Sequence, residues 1–135
     1  MHTSRGAGLG LDGLDTQGTL GHHDRYLAPA VKTARGARAA VRGMPFDEDR
    51  KERALLVVSE LTTNAIVHGG GVLYLQFSRG DGLLHIEVAD PSPTLPGPVK
   101  VNMTSGRGLL MVDALARAWG SEPRWWGKVV WAELD

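Results

Sequence analysis

The chain has 135 residues, a formal net charge of zero, 42% hydrophobic residues and no cysteine. That length suits one domain with a real core and is short for two. The balanced charge argues against a reader of phosphate backbones, so direct nucleic-acid binding is not expected, and the lack of cysteine excludes disulfides and thiolate metal sites.

No uninterrupted apolar run approaches the ~20 residues of a membrane helix. Nor does the start carry the apolar stretch of about 7–15 residues that marks a secretory signal. The expectation is a cytoplasmic protein with no membrane association.

In chain order, Gly6, Gly8, Gly10, Gly13, Gly18 and Gly21 punctuate a stretch poor in large apolar residues. Such a stretch cannot offset the entropy of ordering, so residues 1–24 read as a flexible tail before a domain over 25–135. His22 and His23 beside Asp24 read as solvated in preference to metal-bound. Tyr26, Leu27 and Ala28 suit a short edge strand.

A helical pattern starts at Pro29, a residue suited to a first turn, with Val31, Ala34, Arg38 and Val41 at helical spacing. Lys32, Arg35, Arg38 and Arg42 read as its solvated face, and Gly43, Met44 and Pro45 end it. In the second helix Asp47 or Asp49 can serve as the N-cap. Ala54, Val58, Leu61 and Ala65 mark its apolar face, widened by Leu55 and Ile66, and Gly69, Gly70 and Gly71 stop it at His68.

Val72–Arg79 and Leu83–Asp90 are rich in β-formers, and Gly80, Asp81 and Gly82 offer a three-residue turn between them. Leu84, Ile86 and Val88 alternate with His85, Glu87 and Ala89, as one buried sheet face requires. The loop from Pro91 to Pro98 cannot join a central strand. A third helix is predicted from Gly108 to about Trp119, then a hairpin of 124–126 and Lys128–Leu134 around Gly127. Trp119, Trp125, Trp126 and Trp131 read as packing residues. Helix, helix, strand, strand, helix, strand, strand predicts an α+β fold. Its form is a two-layer sandwich with a mostly antiparallel sheet and helices on one face.

Three features carry chemistry. Glu60, Asn64 and His68 fall at i, i+4 and i+8 on the second helix and share one stripe. A carboxylate and a carboxamide one turn apart suit a base and a hard oxygen ligand for Mg²⁺, although on spacing alone an exposed polar edge is the commoner explanation. Ser105, Gly106, Arg107, Gly108 and Leu109 open a helix, where free N–H groups bind anions and glycine permits close approach. Asp90 ends an alternating strand, where it can accept from an exocyclic amine or cap a turn.

Their order carries more than any one alone. Leu56 through Gly69 resembles the asparagine-bearing box of the GHKL ATPase superfamily, Ile86–Asp90 its first nucleotide-binding box, and Gly106 through Asp113 its glycine box. From about Pro29 to Leu134 the chain resembles the anti-sigma regulatory factor branch in its actinobacterial form, serine kinases of the partner-switching type. The resemblance implies the ATP-binding fold of that superfamily. It implies Glu60 as general base, Asn64 as Mg²⁺ ligand, Asp90 as reader of adenine, and Gly106 and Gly108 with Arg107 as a phosphate lid. His68, Ser105 and Leu109 stand beside these in the expected nucleotide site.

The implied ligands are ATP or ADP with Mg²⁺, and the implied partners are a sigma factor and its anti-sigma antagonist. A homodimer is also implied, with the first helix and the Tyr26 region as candidate surfaces. The sequence departs from the family pattern in two places. Ser92 stands where the family has a glycine, between two prolines, and Val129 and Val130 stand where a threonine is common. These departures keep open an alternative, a nucleotide-sensing or nucleotide-independent protein-binding module without kinase activity.

Overall fold

A computed structural model describes residues 24–28, 31–93 and 104–135, with the side chains of 24 and 104–108 left aside. The glycine-punctuated start, His22 and His23, and the loop beyond Pro93 lie outside the described residues.

The elements in chain order are β1 (Asp24–Ala28), α1 (Ala34–Arg42), α2 (Glu48–His68), β2 (Tyr74–Gly80), β3 (Leu83–Asp90), α3 (Thr104–Leu115), β4 (Ala118–Arg124) and β5 (Gly127–Leu134). The five strands form one sheet in the order β1-β2-β3-β5-β4, with every neighbouring pair antiparallel. This is the expected α+β sandwich.

Register explains the single buried face. Leu84, Ile86 and Val88 of β3 stand opposite Leu134, Ala132 and Val130 of β5, and Ile86 and Val88 stand opposite Phe77 and Leu75 of β2. All are buried in one core with Ala37 and Val41 of α1, Ala54, Val57, Val58, Leu61 and Ala65 of α2, and Val112 of α3. Alternation on the strands and the 3.6-residue period on the helices therefore meet in one layer.

Helix starts follow side-chain capping. The Thr33 hydroxyl accepts from Gly36 N at 2.9 Å, so α1 begins at Ala34 and not at Pro29. Asp47, of the two aspartates considered, caps α2 by accepting from Arg50 N at 2.9 Å. Arg38 is not simply solvated, since its guanidinium donates to the Ser59 hydroxyl at 3.2 Å and ties α1 to α2.

Three further boundaries differ from expectation. Gly80 pairs with Leu83 in the ladder, which leaves Asp81 and Gly82 as a two-residue turn, both at positive φ (55° and 76°). That is the turn whose twist matches a hairpin. Helix α3 begins at Thr104 and ends at Leu115, after which Arg117 N donates to Glu133 O at 2.7 Å and the chain enters β4. Trp119 thus lies on a strand. The last hairpin is built from Ala118–Arg124 and Gly127–Leu134, with Trp125 and Trp126 at its tip. Trp125 is 95% exposed and does not pack.

Candidate nucleotide site

The candidate site lies at the end of the sheet where β3 finishes at Asp90 and α2 finishes beside it, just before Gly69. Arg50, near the start of α2, donates to Gly82 O at 2.8 Å, which places that end of the helix over the β2–β3 turn. The helix therefore runs across the sheet and finishes over the opposite edge, where β3 ends at Asp90. Helix α3 runs the other way, since its end hands over to Glu133 near the finish of β5.

On α2, Glu60 and Asn64 are half-buried and His68 is exposed. Leu61 and Ala65, one position on, are buried and fix the rotation of the helix. No side chain of Glu60, Asn64 and His68 forms a hydrogen bond or ion pair with another described residue. By contrast, the neighbouring Thr62 hydroxyl is spent on Val58 O. The acid and the amide thus stand one turn apart, partly shielded, with no side-chain partner among the described residues.

Asp90 is 2% exposed. Its Oδ1 accepts from Lys128 Nζ at 2.9 Å and from Ser92 N at 2.9 Å. The bond from Ser92 N is the turn cap that aspartate commonly makes. The Asp90 carboxyl lies against Gly69, just past the end of α2: a β-carbon built there would stand 2.5 Å from Asp90 Cγ and 2.7 Å from Oδ2. Contact at that distance requires glycine. Gly127 is constrained from the other side. It has φ 153°, and a side chain there would run into the Asp90 carbonyl oxygen and the Pro91 backbone.

Because α3 starts at Thr104, the segment 105–109 lies inside its first two turns. The N–H groups of a helix that lack an internal partner are those of the first turn. Ser105 and Gly106 fall there, whereas Gly108 and Leu109 sit deeper, and Leu109 is buried. The side chains of Ser105 and Arg107 lie outside the described residues.

Residues 26–133 match the model of the histidine kinase-like ATPase domain. The chain belongs to that family. A protein of Streptomyces coelicolor, itself uncharacterized, is 47% identical over 47 residues, which make up 32% of this chain and 45% of that protein. The matched segment thus spans less than half of the relative's length.

An ATPase domain of this family is a nucleotide-binding module, and the carboxamide oxygen of Asn64 is of the hard-donor kind that Mg²⁺ accepts beside phosphate oxygens. Among the described residues no cluster of three or more His, Cys, Asp or Glu side chains could hold a metal by itself. No described helix is long and apolar enough to cross a membrane.

Sequence reasoning missed Lys128. It is 6% exposed and stands directly opposite Asp90 in the sheet register. A signal was available: Lys128 continues the inward-facing positions Val130, Ala132 and Leu134, and a charge on such a face needs a partner. His85, expected to pack or hydrogen-bond, does both on the helix-free face of the sheet. Its ring nitrogens meet Glu133 Oε2 at 3.2 Å and Glu87 Oε2 at 3.0 Å, and it stacks on Trp131 at 5.6 Å. The Tyr74 hydroxyl donates to Glu87 Oε1 at 3.3 Å, and burial with that negative neighbour pushes the phenol well above its usual range.

Proposed function

We propose that this ATPase domain binds Mg²⁺-ATP at the Asp90 edge and phosphorylates a serine or threonine of a partner protein. The observation that carries this reading is the pair Glu60 and Asn64, half-buried and without a side-chain partner among the described residues, on the helix that runs down to Gly69 and Asp90. Glu60 takes the proton from the attacking hydroxyl as its oxygen bonds to the γ-phosphorus. The bond from that phosphorus to the β–γ bridging oxygen breaks, and ADP leaves. Asn64 would hold the cation, which when bound neutralises the charge that gathers on the phosphates. Asp90 orients the base, and the first turn of α3, with Ser105, Gly106 and Arg107, faces the phosphates. Positioning and electrostatics account for most of the rate in such transfers.

Resemblance to the anti-sigma branch supports a role in partner switching. The domain would sequester a sigma factor and release it when a phosphorylated antagonist changes affinity, because added phosphate charge disrupts or creates a protein interface. A homodimer fits the edge position of β1, whose Leu27 is exposed. One observation favours a second reading: Asp90 already accepts from Lys128 and Ser92, as it would in a binding module that makes no phosphoprotein.

The deciding experiment is calorimetric titration with Mg²⁺-ATP of the wild type, Asn64→Ala and Asp90→Asn, followed by phosphate transfer to an antagonist protein by wild type and Glu60→Gln. Saturable binding weakened by both substitutions, with transfer abolished by Glu60→Gln, supports the kinase. Absence of binding at millimolar ATP leaves the protein-binding module.

A further inference from the structure

Lys128 is a buried ammonium with work left to do. It projects from β5 on the helix-covered face of the sheet, in line with Val130, Ala132 and Leu134. Its Nζ donates to Asp90 Oδ1 at 2.9 Å and makes no second bond with any described residue. An ammonium carries three donors, so two stay unused on a side chain more than nine-tenths buried. A purely structural pair is stable only when the remaining donors are satisfied, and apolar residues of similar volume commonly serve as well or better. Lysine here therefore answers to something other than packing.

The carboxylate it meets is asymmetric. Oδ1 accepts from both Lys128 and Ser92, while Oδ2 accepts from no described residue and lies at Gly69. Among the described residues the pair therefore leaves Oδ2 without a donor and Nζ with two N–H groups without an acceptor. We infer that Lys128 is a base-reading residue, which donates directly to a ring nitrogen while Asp90 Oδ2 accepts from the adjacent exocyclic amine. This inference rests on the ATP-binding reading above.

An amine next to a ring acceptor is the N6–N1 edge of adenine. Guanine in the same pose turns O6, an acceptor, to Asp90 Oδ2 and N1–H, a donor, to Lys128, so both bonds are lost.

The test compares ATP, 1-deaza-ATP (N1 replaced by C–H), purine riboside triphosphate (no N6 amine) and GTP by calorimetry on the full chain. Wild type is expected to bind 1-deaza-ATP about tenfold or more weakly than ATP, the loss of one charge-assisted hydrogen bond. Lys128→Met is expected to bind ATP and 1-deaza-ATP alike, while still discriminating against loss of the N6 amine. Asp90→Asn/Lys128→Met, which removes both charges, is a second probe should the single variant fail to fold, and it too should not distinguish the N1 analogue. Equal wild-type affinity for ATP and 1-deaza-ATP, an undiminished N1 penalty in either variant, or preference for GTP overturns the inference and leaves nucleotide binding standing. Failure of wild type to bind any of the four removes both.

Discussion

Gly69 and Asp90 touch with no room for a methyl group between them. The contact joins the end of α2 to the end of β3, and it makes the glycine a structural requirement of the carboxylate. A β-carbon on Gly69 would also stand 2.8 Å from Ala65 O. Gly69→Ala is therefore expected to cost about 1–3 kcal/mol, the usual range for overpacking, and to weaken nucleotide binding by displacing Asp90. Urea denaturation and calorimetry on the same samples check both. Unchanged affinity in a folded variant would detach the glycine from the site.

Glu60 and Asn64 should behave in the opposite way. Each is half-buried without a side-chain bond to another described residue, so Glu60→Gln and Asn64→Ala should leave stability within about 0.5 kcal/mol. Phosphate transfer should fall at least about a hundredfold in Glu60→Gln, the lower end for loss of a general base. A variant that melts early would point to a structural role.

The buried pair can be taken apart thermodynamically. Asp90→Asn or Lys128→Met alone should destabilise by about 3–5 kcal/mol, since each strands an uncompensated group. The double variant should lose clearly less than the sum. A double-mutant cycle from urea denaturation gives the coupling directly.

These sites were unequally legible in the sequence. Helix α2 ends at His68 and β3 spans Leu83–Asp90 as expected, because Gly69–Gly71 and a strict alternation are local signals. Trp119 sits four residues after Leu115, a spacing that a helix and a helix-to-strand junction share. The bond from Arg117 N to Glu133 O decides between them, and it is invisible in one dimension. The first helix was anticipated at Pro29, but the Thr33 cap governs. The stripe of Glu60, Asn64 and His68 was readable from its spacing, and the structure leaves the first two half-buried and the third exposed. The partner of Asp90 was not readable, because it lies 38 positions away and is set by strand register.

His85 makes stability depend on pH. Burial alone would lower its pKa, but hydrogen bonds to Glu133 and Glu87 and their negative charges outweigh that and raise it above the ordinary value near 6.5. A raised folded-state pKa means that the charged form favours the fold. The contribution is thus fully present below about pH 6.5 and is lost as pH climbs through the raised value. Unfolding free energies from pH 5.5 to 9 should show wild type losing its advantage over His85→Gln on the alkaline side. A constant difference would remove the histidine from that role.

Helix α2 is held at both ends, by Arg50 on the β2–β3 turn and by Gly69 against Asp90. Its 21 residues span about 31 Å. One continuous helix thus links the end of β3 to the β2–β3 hairpin at the far end of the sheet, so a shift of the Asp90 carboxylate has a path through that helix by which to reach the hairpin.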